Sequence, residues 1–258
     1  MKLLFVGAHP ADLIDLAAGT IANHIEAGDE VFIMAVTLGV FSHPLSKEQM
    51  SNIGEFERAK IDECQDALDV LDVKKENRSF LGFDDGIFFD PGILHRKPIA
   101  EIISKVRPDV LVTHHPAESH HPDHSYIGQQ SMEASVAAGR YVEMEGFEPC
   151  RVSNVFFYGY QFHPNMVKLG RNVVPPDVVV DITKVIEKKA VAFISMPSQY
   201  NTKDVVWSRL NSMEKEWGRQ YGFEYAETFI SYQPCRTTLL PDFGSSDFQS
   251  LLRRQAKK

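Results

Sequence analysis

KLLFVGAHPADLIDLAAGTIANHIEAGDEVFIMAVT, residues 2 to 37, decides the fold. Lys2 to Ala8 is a short apolar run and reads as a buried strand. Leu13, Leu16, Ala17, Ile21 and Ile25 then recur at helical spacing, and the pattern from Leu13 to Ala27 stops at Gly28. Glu30 to Thr37 is a second apolar run. Strand, helix and strand in so short a span make a βαβ unit, the crossover that parallel strands require.

The same alternation continues outward. Glu55 to Leu71 reads as an amphipathic helix, Ser79 to Gly82 as a short strand and Pro98 to Val106 as a helix. Asp109 to Thr113 reads as a third buried strand and Ser125 to Gly139 as the helix after it. Asp84, Asp85 and Gly86 read as a turn. Further on, Asn154 to Tyr160 and Val178 to Asp181 read as strands, and Ile182 to Ser195 and Lys203 to Gly222 as helices. The expectation is an α/β sandwich with a mainly parallel sheet. No repeat, low-complexity segment or linker interrupts 1–258, so one domain is expected. Its motifs fall within residues 1–140, and the later part completes the sheet and the loops around the site. Gln161 to Pro176 reads as a long loop of the kind that often carries function.

Composition narrows the function. Of 258 residues, 43% are hydrophobic and 24% charged, as in ordinary globular domains. The net charge is −8 and no basic run is present, which argues against nucleic acid or an anionic membrane as partner. The opening apolar run is too short for a secretory segment, and nothing approaches the roughly 20 apolar residues of a membrane span. Cys64, Cys150 and Cys235 are widely spaced, odd in number and without CxxC spacing. Neither a disulfide framework nor a thiolate metal site is expected, and a reducing cytoplasm fits.

The chemistry concentrates after two strands. Five of the ten histidines lie in THHPAESHHPDH, Thr113 to His124. The first strand likewise ends in Ala8-His9-Pro10-Ala11-Asp12. Ligands in open α/β sheets bind outside the carboxyl ends of strands, so these two ends can converge. A lone histidine there is usually only a hydrogen-bonding residue; this density points to a metal. Without thiolates, zinc takes imidazole and carboxylate, and a catalytic site keeps three protein ligands and an open position. His9, Asp12 and His124 make such a set. Bound zinc can lower the pKa of water from 15.7 to about 7. Phosphate-loop, dinucleotide-binding and serine-hydrolase motifs are absent.

VGAHPADLIDLAAGT and RPDVLVTHHPAESHHPDH resemble the two metal-site motifs of the PIG-L/LmbE-like family of zinc-dependent enzymes, which includes de-N-acetylases. FLGFDDG, Phe80 to Gly86, resembles a third, weaker one. The resemblance runs in order through roughly the first 140 residues. It implies a Rossmann-like three-layer sandwich, Zn2+ on His9, Asp12 and His124, His121 as the active-site imidazole and Asp123 as the carboxylate orienting it. A homo-oligomer is also expected from it.

One departure redirects the function. The family's deacetylases carry two acids after His-Pro, a general base and then a ligand; here these are Ala11 and Asp12. Alanine accepts no proton, and general-base catalysis is worth about 10²–10⁴-fold. Val40 after Gly39 is a second departure, where deacetylases commonly place Glu. Three readings follow: a deacetylase with a base from Glu48, Glu118 or Asp123; a non-catalytic binding relative; or different chemistry on the same zinc. His-x-Ala-Asp resembles the 4-oxalomesaconate hydratase branch, which adds water to an unsaturated keto acid. The leading expectation is a hydro-lyase acting on a small carboxylate in aromatic catabolism. His121 or His163 would then support proton transfer. His43 and His114 are candidates for contacting substrate, with Arg58, Arg171 or Arg209 holding its remote carboxylates.

Overall fold

The computed structural model describes residues 1–42, 44–86, 95–118, 121–140, 148–159, 175–199 and 202–234. His43, His163 and Arg171 lie outside the described residues. The strands are β1 (Lys2–Gly7), β2 (Glu30–Thr37), β3 (Arg78–Phe83), β4 (Val110–Thr113), β5 (Asn154–Tyr158), β6 (Val178–Asp181) and β7 (Ala226–Ser231). They form one sheet in the order β3-β2-β1-β4-β5-β7-β6. The first five pair in parallel, and β7 runs antiparallel to both β5 and β6.

Helices cover both faces, which explains why β1 and β2 are apolar throughout rather than alternating. Leu3 and Phe5 of β1 join one core with Leu13, Ile14 and Ala17 of α1 (Pro10–Glu26) and Cys64, Ala67 and Leu68 of α3 (Ile53–Val70). Ala190 and Phe193 of α6 (Ile186–Ile194) lie in that core too. Leu4, Val6 and Ala8 point the other way. They meet Ile99 and Ile103 of α4 (Arg96–Val106) and Ile127 and Ala134 of α5 (Pro122–Arg140). The expected three-layer α/β sandwich is therefore present. β1 has β2 on one side and β4 on the other, so the strand order reverses around it, and such a reversal opens a crevice at the carboxyl ends. His9 follows β1 and His114 follows β4 at that crevice.

Three elements differ from expectation. The stretch expected as one helix from Lys203 to Gly222 is two, α7 (Lys203–Ser212) and α8 (Glu214–Tyr221), broken at Met213. The break coincides with Glu214, whose carboxylate turns inward to Lys189 Nζ at 2.7 Å. β7 is absent from the sequence reading because Glu227 interrupts its apolar run. That charge is buried but matched: its carboxylate sits 2.7 Å from Lys189 Nζ and accepts the backbone N–H groups of Gly19 and Thr20. The short α2 (Lys47–Ser51) is likewise an addition, although Ser46-x-x-Gln49 is a capping box: Gln49 N donates to Ser46 Oγ and Ser46 N to Gln49 Oε1.

α5 packs its first turns against the end of β4 through Gly128, where an added Cβ would overlap the His114 carbonyl oxygen. The neighbour is backbone and cannot swing away. Gly128→Ala is expected to destabilise the protein by about 1–3 kcal/mol through overpacking, read as a lower midpoint in urea unfolding. It should also weaken the site, because α5 carries His124.

Candidate metal centre

α1 begins at His9, an extended cap residue. Its N–H donates to Asp12 Oδ2 at 2.7 Å, which folds the Asp12 carboxylate back over the His9 ring. Pro10 at the first helical position fixes the entry. Gly39, after β2, takes φ +69°, and a Cβ there would stand 3.0 Å from His9 Cβ. α5 starts at Pro122, three residues earlier than expected, so Asp123 and His124 lie in its first turn and His121 just precedes it.

Three side chains from these two helix starts converge. His9 Nδ1 is 3.3 Å from Asp12 Oδ2, His124 Nε2 is 3.4 Å from Asp12 Oδ1, and the two nitrogens are 3.1 Å apart. A tetrahedral ion with bonds of about 2.0–2.1 Å has ligand–ligand edges of roughly 3.3–3.4 Å. The outward nitrogens are already committed: His9 Nε2 lies 2.8 Å from Asp123 Oδ2 and His124 Nδ1 2.8 Å from Glu118 Oε1. A carboxylate only accepts, so each outward nitrogen carries a proton, and an inward nitrogen presents its lone pair to a cation once any proton there is displaced. Two lone pairs and a carboxylate facing one point fit a divalent cation. Three further sets of ligand-type atoms overlap this one, His9–His121–His124, Asp12–His114–His124 and His9–Asp85–Asp123.

The electrostatics agree. Burial works against charge on His124, yet Asp12 and Glu118 overcome it and raise its pKa to about 10. Burial likewise opposes the Asp12 carboxylate, but His124, His9 and His114 hold its pKa well below the ordinary value. The centre thus draws positive charge, and a proton on His124 competes with a metal, so metal affinity falls as the pH is lowered. His121 is different: burial, then His9 and His124, lower its pKa to about 4, which keeps it neutral at pH 7. It pairs through Nδ1 with Asp123 and is the most exposed imidazole of the cluster, at 23%.

Other expected site residues sit elsewhere. His114 is fully buried, its ring stacked on His124 and its nitrogens 3.1 Å from Glu118 Oε2 and 3.0 Å from Asp12 Oδ2. It braces the ligands instead of facing substrate. Glu118 has both oxygens on histidines and is not free to act as a base. Glu48 is exposed on the first turn of α2 and Arg58 is exposed on α3, and neither makes a contact that holds this cluster. Arg209 is engaged with Asp15. Asp85, read as a turn former, is fully buried and accepts the N–H groups of Val40 and Phe41, fixing the loop after β2.

Glu118, expected as a candidate base, instead bridges His114 and His124. Glu118→Gln is expected to lower metal affinity by about 10–100-fold, the usual cost of losing a partner that orients a ligand. Competition with a chromogenic chelator measures this.

The fold is an α/β sandwich, with a cluster of two histidines and one carboxylate at the switch point of its sheet as a candidate metal site. The chain belongs to the family described as PIG-L: GlcNAc-PI de-N-acetylase, which matches residues 4–135. It is similar to the 4-oxalmesaconate hydratase of Pseudomonas putida, with 26% identity over 203 residues covering 76% of this chain and 73% of that protein. It is also similar to 1D-myo-inositol 2-acetamido-2-deoxy-alpha-D-glucopyranoside deacetylase of Kineococcus radiotolerans, 27% identical over 168 residues. That match covers 53% of this chain and 45% of the deacetylase. Among solved structures, a conserved protein of Thermus thermophilus superposes with TM-score 0.72 at 27% identity, covering 93% of this chain and 98% of that one. Among the described residues no helix is long and apolar enough to cross a membrane.

Proposed function

We propose that this protein is a zinc-dependent hydratase that adds water across the double bond of a small unsaturated keto-carboxylate such as 4-oxalomesaconate. The observation that carries this reading is Ala11. It packs against the core beside Pro10 and offers no proton acceptor where a deacetylase base would stand. The remaining carboxylates are engaged: Asp12 on His9, Asp85 on the backbone, Glu118 on two histidines and Asp123 on His9. The hydratase relative supports the same reading.

His9, Asp12 and His124 would hold the zinc, which when bound would supply Lewis-acid polarisation of the keto-acid and activation of water. His121 supplies the proton path. Asp123 holds its Nδ1, which leaves Nε2 to accept a proton as water oxygen bonds to the alkene carbon. The alkene π pair moves toward the keto oxygen. The His121 imidazolium then returns the proton to the adjacent carbon, restoring the ketone and balancing one water added. Asp123 stabilises that transient imidazolium.

A deacetylase reading draws on the deacetylase relatives and the same His121–Asp123 pair. One experiment separates the two. Zinc-loaded protein is given a conjugated keto-diacid, followed by loss of its ultraviolet absorbance, and in parallel an N-acetylated amino sugar, followed by acetate release. Loss of the chromophore without acetate is expected. Acetate release with the chromophore intact contradicts the hydratase reading.

A further inference from the structure

A second buried charge cluster lies apart from the metal centre, where α1, α6, α7, α8 and β7 meet. Lys189 of α6 is fully buried, and its three donors meet three acceptors: Asp15 O, Glu214 Oε1 and Glu227 Oε1, each 2.7 Å from Nζ. Glu227 is satisfied on its other oxygen too, which accepts the N–H and the hydroxyl of Thr20. Asp15 accepts a forked pair from the Arg209 guanidinium. Glu214 is the member left over. It is 6% exposed, and its Oε2 is buried with no hydrogen-bond partner among the described residues. A charged acceptor buried in that condition is strongly destabilising.

Glu214 also lines a cavity of about 20 Å³, together with Asp15, Arg209, Trp217, Glu227 and Thr228. A single water-sized group needs about 10–15 Å³, so the cavity takes one and no more. Charge decides what that group is. Asp15, Glu214 and Glu227 bring three negative charges, and Lys189 and Arg209 bring two positive ones. The cluster therefore carries one negative charge in excess. A water would satisfy Glu214 Oε2 and leave that charge in place, and a divalent ion would overshoot it. Burial raises the Glu214 pKa; Lys189 pulls it down, and Asp15 and Glu227 push it up again, with a net rise. The position thus gains from a single positive charge, proton or ion.

We propose that Glu214 and the cavity beside it form a site for one monovalent cation of about the size of a water molecule, such as potassium. The site is independent of the reaction assigned above. It braces α1 from behind through Asp15, one turn beyond Asp12.

The test compares urea unfolding of the full-length protein in potassium, sodium and choline chloride at equal ionic strength. Choline has the same charge and is too large for the cavity. The midpoint is expected to rise with potassium and to stay flat in choline. At about ten times the dissociation constant the folding equilibrium constant should be roughly tenfold higher, as for a ligand that binds only the folded state. The rise should shrink as the pH is lowered, because a proton on Glu214 competes with the ion. Glu214→Gln keeps the size and an acceptor oxygen, removes the excess charge, and should abolish the difference between salts. Wild-type crystals soaked in rubidium chloride give a second reading that needs no variant: one anomalous peak is expected in the cavity at Glu214 Oε2. A rise with sodium instead of potassium sustains the site and makes the smaller ion its occupant. Equal midpoints in all three salts, or a salt difference that persists in Glu214→Gln, overturns the proposal. So does a cavity without rubidium, which assigns the position to an ordered water.

Discussion

Asp12→Ala is expected to lower zinc affinity by more than the roughly 100-fold that a change at an orienting partner costs, and to abolish turnover. In the proposed centre Asp12 is the one anionic ligand, and its loss also removes the acceptor for the His9 N–H at the cap of α1. Two imidazoles then remain, their inward nitrogens 3.1 Å apart, and a carboxylate that draws charge to His124 is gone. The measurement is metal content after dialysis against a chelator. Asp12→Asn keeps the size and an acceptor oxygen but not the charge, and should bind more weakly than wild type with little change in fold. Zinc retained at wild-type affinity in both variants would place the metal on another set of ligands.

The second large effect falls on His121. His121→Ala should retain zinc and lower kcat by about 10²–10⁴-fold, the range for one positioned proton-transfer group. The geometry separates this role from that of a ligand. His9 and His124 are each tied by an outward nitrogen to a buried carboxylate and are nearly inaccessible, whereas His121 is the more open member and lies at the end of α5 that faces the crevice. Its lowered pKa leaves it neutral through the physiological range and able to accept a proton. Loss of zinc in step with loss of activity would make His121 a ligand, as in the overlapping His9–His121–His124 set.

Much of this is legible in the sequence because it lies in short-range pattern. β1, α1 and β2 are readable because both strands are apolar on two faces and the helix repeats at 3.6 residues. His9, Asp12 and His124 are readable because each lies within a few residues of a strand end or helix start. Tertiary pairing hides the rest. Glu227 and Lys189 look like surface charges until the fold places them together inside. Glu118 looks like a loop acid until both its oxygens are seen on histidines.

Helix phase decides which basic residue of α3 is buried. Arg58 and Lys60 are two residues apart, which turns their side chains about 200° from each other, and Arg58 faces solvent. Lys60 falls at i−4 from Cys64 and i−8 from Leu68, in register with the buried side of α3.

The central claim is that His9, Asp12 and His124 together hold the metal. Anomalous diffraction at the zinc edge from crystals of zinc-loaded protein tests it most directly. One peak is expected, with His9 Nδ1, His124 Nε2 and an Asp12 oxygen each about 2.0–2.2 Å away and His121 outside bonding distance. A peak bonded to His121, or one between Asp85 and Asp123, would contradict the account.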